Sequence, residues 1–82
     1  MDNFEFTSHA RDMMLERGIH EEWVGVTLAS PERKDVDREG QVHYFKTIPE
    51  HGGRVLHVVV NPTTDLPKVI TTFFNRGARR MG

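Results

Sequence analysis

Apolar and polar residues follow two different periods along this chain, and the change falls at Pro31. Before it, apolar residues recur about every 3.6 positions, the spacing of one face of a helix. Phe6, Ala10, Met13 and Met14 form such a stripe, with Arg17 inside it, His9 on its edge and Leu15 pointing away. This predicts a helix over Ser8–Arg17. Thr7 or Ser8 can cap it through a side-chain oxygen that accepts an amide of the first turn. Gly18 suits the left-handed residue that ends a helix, and Ile19 supplies the usual apolar contact beyond it. A second helix is predicted over Glu21–Ala29. His20 stands at its cap, Glu21 and Glu22 favour the positive end of its dipole, and Ile19 can staple Val24. Ser30-Pro31 stops it, because the residue before proline is pushed out of the helical region. Trp23, Val24, Thr27 and Leu28 make its buried face.

After Pro31 the period becomes 2, the mark of strands. Glu32–Asp37 reads as a short polar edge strand and Arg38-Glu39-Gly40 as a tight turn. Val42–Ile48 is a strand with Val42, Tyr44, Lys46 and Ile48 on one face and His43, Phe45 and Thr47 on the other. Residues 49–53 form a loop rich in turn formers. Arg54–Asn61 is a strand of high β-propensity, with Val55, His57 and Val59 on one face and Leu56, Val58 and Val60 on the other. A second loop leads to a last strand, Lys68–Asn75. Short loops between successive strands favour an antiparallel meander. The elements therefore predict one α+β domain over residues 1–82: two N-terminal helices packed on one face of a three- to four-stranded antiparallel sheet.

Composition narrows the class. The 82 residues suffice for one small core of thin stability margin. There is no cysteine, so neither a disulfide nor thiolate chemistry is available. With no basic stretch followed by an apolar run at the start and no membrane-length apolar segment, the expectation is a cytoplasmic protein without a membrane partner. Charge is uneven. Six acidic residues and two arginines occupy the first thirty positions, while Arg76, Arg79 and Arg80 crowd the end, where residues 75–82 read as a flexible basic tail.

No phosphate loop, HExxH or other strong motif is present. The five histidines, at positions 9, 20, 43, 51 and 57, do not stand at helical spacing for a shared metal, so neither a metal nor another cofactor is expected. Two residues break the pattern instead. Arg17 is a cation on an apolar stripe, which calls for pairing or a nearby cleft; its alternative is a guanidinium reaching solvent at the helix end. His57 is polar in an apolar strand, either a satisfied core histidine or a functional one.

The run Phe6 to Ile19, reading His9-Ala10-x-x-Met13-Met14-x-x-Arg17-Gly18-Ile19, resembles the opening of a widespread family of small prokaryotic proteins of unknown function. The short acidic helix ending at Ser30-Pro31 and the strands Gly53–Val60 and Val69–Thr71 resemble that family's later elements, so the likeness covers most of the chain. That family is related to the ribonuclease-like fold of RelE, BrnT, barnase and the EndoU enzymes. The resemblance implies metal-independent RNA cleavage, often as the toxin of a toxin–antitoxin pair, with RNA or the ribosome and an antitoxin protein as partners. Matched residue by residue, it implies catalytic roles for His9, Arg17, Arg54 and His57 and a substrate contact from Thr71, to which the strand pattern adds Lys46 and Tyr44 as candidate substrate contacts. His9 and His57 would form the acid–base pair, Arg17 and Arg54 would clamp the phosphate, and Tyr44 or Phe73 would stack a base. The net charge of −1 is unlike that of a protein that holds RNA by charge alone. A second reading therefore stands beside the first: a non-catalytic interaction module that uses an open sheet face or edge to meet another protein or a second copy of itself.

Overall fold

The computed structural model describes residues 4–75. Its elements run β1 (Glu5–Phe6), α1 (Ser8–Arg17), α2 (Glu21–Ala29), β2 (Arg33–Val36), β3 (Val42–Ile48), a 3₁₀ turn (Pro49–His51), β4 (Arg54–Asn61) and β5 (Lys68–Asn75). The sheet order is β1-β5-β4-β3-β2. The expected α+β class holds, but the sheet has five strands and is mixed, because β1 pairs with β5 in parallel. Two residues are too short for a period to show. The pairing rests on backbone bonds: Glu5 N–H donates to the Pro67 carbonyl at 2.9 Å and Thr7 N–H to that of Val69 at 3.0 Å. Of the basic tail expected over 75–82, Asn75 closes β5 and the remainder lies outside the described residues.

Thr7 joins α1 to the sheet. Its hydroxyl oxygen accepts the Ala10 amide at 3.1 Å, and the same hydroxyl lies 3.0 Å from the Ile70 carbonyl, to which it can donate. Gly18, at φ 65°, ends the helix, and its N–H donates to the Met14 carbonyl. Arg17, in the last turn of α1, is thereby fixed at the corner where the chain turns away from the sheet. In α2, Val24, Thr27 and Leu28 are buried, and the Thr27 hydroxyl donates back to the Trp23 carbonyl at 2.8 Å. His20 caps the helix by position only, with no side-chain hydrogen bond.

Both helices lie on one face of the sheet. Val42, Tyr44, Ile48, Leu56, Val58, Val60 and Val69 pack there against Ala10, Ile19, Val24 and Leu28, with Met14, Trp23 and Phe74 at the margin. The register pairs Tyr44 with Val58 and Val58 with Thr72. A shift at Val59/Val60, where Val59 faces Thr71 but Val60 faces Val69, lets both Val69 and Thr72 become buried. The Thr72 hydroxyl is buried without a hydrogen-bond partner among the described residues. The opposite face carries His43, Phe45, Thr47, Val55, His57, Val59, Thr71 and Phe73, as their positions in the register require. β2 is exposed along its length, and the turn after it closes on Asp37, whose carboxylate accepts the Glu39 and Gln41 amides at 2.9 and 3.0 Å. No helix of the described residues is long and apolar enough to cross a membrane.

Candidate functional site

Pro49 starts the 3₁₀ turn after β3, and Gly52 and Gly53, at φ 66° and 73°, reverse the chain into β4. Side chains at this positive φ would be strained, so the two glycines explain how a five-residue loop returns so sharply. The reversal sets Arg54 opposite Ile48 at the start of β4 and leaves His51 on the loop. There His51, Arg54 and Phe74 meet Arg17 from the end of α1 around a small cleft of about 170 Å³. The His51 ring stacks on Phe74, with centroids 4.3 Å apart and planes 20° apart. Trp23 packs against both rings, 5.4 Å from His51 and 5.9 Å from Phe74, and His20 lies on Trp23 at 4.4 Å. Among the described residues the carboxylate contacts to basic side chains are the Arg33–Asp35 ion pair and the Asp37–His43 hydrogen bond, so neither Arg17 nor Arg54 is neutralised by a carboxylate of those residues. Both arginines are exposed to solvent, and an anion that enters the cleft they line meets positive charge from each.

The other sheet face is electrically different. The His57 Nε2 lies 2.7 Å from His43 Nδ1, and His43 Nε2 lies 2.9 Å from Asp37 Oδ2. With Asp37 ionised and both rings neutral, one arrangement satisfies all three groups: His43 donates from Nε2 to Asp37, and His57 donates from Nε2 to His43 Nδ1. His57 is wedged between Phe45 at 4.3 Å and Phe73 at 4.6 Å. Burial first, then His43 and Arg33, hold its pKa down to about 4. The His43 hydrogen bond holds the Asp37 carboxyl below its ordinary range. His57 is therefore neutral at pH 7 and lacks the second ring proton that an imidazolium gives up as an acid.

These placements divide the residues matched in the sequence. Arg17 and Arg54 come together in the cleft. His57 lies on the opposite face, with Thr71 next to it on β5, opposite Val59. His9 is exposed and has no hydrogen-bond or ring partner among the described residues. Eight residues at 1.5 Å each put its backbone about 12 Å along α1 from Arg17. The four residues assigned to catalysis thus occupy three places, and His9 and His57 do not form a pair. Tyr44 is buried in the core, where burial raises its pKa, so its ring is no platform for a base. The Lys46 ammonium donates to the Ser30 carbonyl at 3.0 Å and ties β3 to the end of α2. Sequence reasoning missed His51, hidden among turn formers, Trp23, which read as the buried face of the second helix, and Phe74, which nothing in the strand pattern singled out. It missed Asp37 and His43 as partners of His57 because only the strand register brings them together.

The comparisons with known proteins agree with the helix-1 motif at the level of family. The family model described as a domain of unknown function (DUF4258) matches residues 6–74, and the chain belongs to that family. No curated protein and no solved structure matches it.

Proposed function

We propose that this DUF4258 protein cleaves RNA without a metal ion, in the manner of a RelE- or BrnT-like toxin, and that it does so at the Arg17–His51–Arg54 cleft. One observation carries the reading: two arginines, 37 positions apart in the chain, line one cleft beside an imidazole and have no carboxylate partner among the described residues. The kinship inferred between the family that helix 1 resembles and that ribonuclease-like group supports it. In such a reaction the 2′-oxygen attacks the adjacent phosphorus, the 2′-O–P bond forms and the 5′-O–P bond breaks, leaving a 2′,3′-cyclic phosphate and a 5′-hydroxyl. His51 takes the 2′-hydroxyl proton, and the 5′-oxygen takes a proton from solvent. Arg17 and Arg54 neutralise the charge that builds on the phosphorane oxygens. The fitting partners are RNA, free or on the ribosome, and an antitoxin protein that covers the cleft.

The test is cleavage of RNA by purified protein in EDTA, on free transcripts and on translating ribosomes. Products ending in a 2′,3′-cyclic phosphate are expected. Intact RNA in both settings overturns the reading. A second reading, a non-catalytic interaction module, is favoured by one feature: β2 is exposed and hydrogen-bonded on one side only, an edge open to another strand from a partner or a second copy. Intact RNA together with a stable complex that protects the β2 amides from exchange is its expected signature.

A further inference from the structure

A larger groove, about 560 Å³, adjoins the cleft. Trp23 lines it, and the same indole packs against the His51 and Phe74 rings that line the cleft, so these aromatic rings stand between the two cavities. The groove has an apolar floor from Trp23, Ile48 and Pro49, and Ile48 is fully buried beneath it. Its rim carries Glu22 and Glu50, neither with a hydrogen-bond or ion-pair partner among the described residues. The ammonium of Lys46, also on the rim, is held by the Ser30 carbonyl.

The two cavities therefore ask for opposite chemistry. The cleft offers guanidinium groups and suits an anion. The groove offers an aromatic wall and two carboxylates, without a partner among the described residues, against the one ammonium of Lys46; on balance it disfavours an anion and suits a flat ring that presents N–H donors. A molecule satisfying both has a phosphate at one end and a planar N–H-bearing base at the other. Among the RNA bases, guanine presents two adjacent donors, N1–H and N2–H, that one carboxylate accepts together. Uracil presents a single N–H between two carbonyls, and those carbonyls face the carboxylates unfavourably.

We infer that the Trp23 groove is the base subsite for the nucleotide whose phosphate enters the Arg17–Arg54 cleft, and that it selects guanine through Glu22 and Glu50. The inference rests on the reading of the cleft as a phosphate site, and it names the substrate feature that site recognises.

Trp23 is the only tryptophan in the chain, so its fluorescence reports on the groove directly. The experiment titrates the whole protein with guanosine 3′-monophosphate, uridine 3′-monophosphate, guanosine and inorganic phosphate, following Trp23 emission corrected for absorption. Saturable quenching by the guanine nucleotide is expected, about tenfold or more tighter than by the uracil nucleotide, the discrimination typical of a bidentate base contact. Guanosine should quench more weakly, and phosphate should compete with the nucleotide without quenching fully. The double substitution Glu22→Gln and Glu50→Gln, both at exposed positions, should bring the two nucleotides to within about twofold of each other, with competition by phosphate preserved. Equal affinity for the two nucleotides in the unaltered protein overturns the inference. So does emission that stays constant while phosphate still binds, a result that leaves the cleft reading standing. Quenching by guanosine that the 3′-phosphate fails to strengthen instead removes the phosphate reading of the cleft and keeps the base groove.

Discussion

The two faces of this sheet treat charge in opposite ways. On the face away from the helices, Asp37, His43 and His57 satisfy one another in a continuous hydrogen-bonded chain, and Arg33 is closed by Asp35 at 2.8 Å. At the helix-side end, Arg17 and Arg54 line a cleft with no carboxylate among the described residues to neutralise either. A closed network lowers its own energy and asks for nothing more, whereas unpaired cations leave a binding demand for an anion to meet. A perturbed pKa is often a sign of a functional group, yet structural networks also produce one. Here the most perturbed histidine, His57, sits in the closed network, and our proposal gives the chemistry to His51.

The largest expected effect would break or uphold that assignment. His51→Ala should lower the rate of RNA cleavage by about 10²- to 10⁴-fold, the usual contribution of a general acid or base, with the melting temperature little changed. His57→Phe should leave cleavage within a few-fold. The reverse outcome, activity lost with His57 and kept without His51, transfers the site to the other face.

The next effect is on stability against pH. Folding holds the His57 pKa at about 4 against an ordinary 6.5, so the unfolded chain binds the proton more readily. The stability tied to keeping His57 neutral is fully present above pH 6.5 and is lost progressively as pH falls from 6.5 towards 4. Asp37, whose pKa folding lowers, adds a further loss at lower pH still. Urea unfolding at pH 7.5 and 4.5 should show the drop, and His57→Phe should flatten it. A wild-type midpoint unchanged between these pH values contradicts the closed network.

A smaller effect concerns how α1 delivers Arg17. Thr7→Ala removes the cap and its tie to β5 and should cost about 1 kcal/mol in chemical unfolding, with cleavage retained where the protein is folded. The smallest is Thr72→Val. It replaces a buried hydroxyl that has no partner and should stabilise by about 1 kcal/mol or less. Loss of stability there would show that a water or an outlying residue satisfies the hydroxyl.

Much of this fold was legible in the sequence. Helices over Ser8–Arg17 and Glu21–Ala29 and strands over Val42–Ile48, Arg54–Asn61 and Lys68–Asn75 are long enough for their periods to appear, and their observed bounds are the expected ones. The edge strand is shorter than expected, Arg33–Val36 within Glu32–Asp37. β1 was illegible because its two residues join the sheet through backbone bonds to a loop 62 positions later. Of the site, Arg17 announced itself as a cation on an apolar stripe. Arg54 stood out only as one polar residue among several in the strands until the family resemblance gave it a role, and His51 was masked by Pro49, Gly52 and Gly53, which mark a turn whatever histidine it carries. The partners of His57 were out of reach, because a diagonal contact between β3 and β4 depends on register.

The central claim is that the unpaired arginines, and not the linked histidines, do the work on RNA. The most direct measurement is RNA cleavage in EDTA by Arg54→Ala and by His43→Phe, each at a temperature where it is shown to be folded. The account predicts a loss of about 10²- to 10³-fold for Arg54→Ala, the scale of one lost transition-state charge contact, and near-normal cleavage for His43→Phe. Normal cleavage by Arg54→Ala with loss in His43→Phe would contradict it.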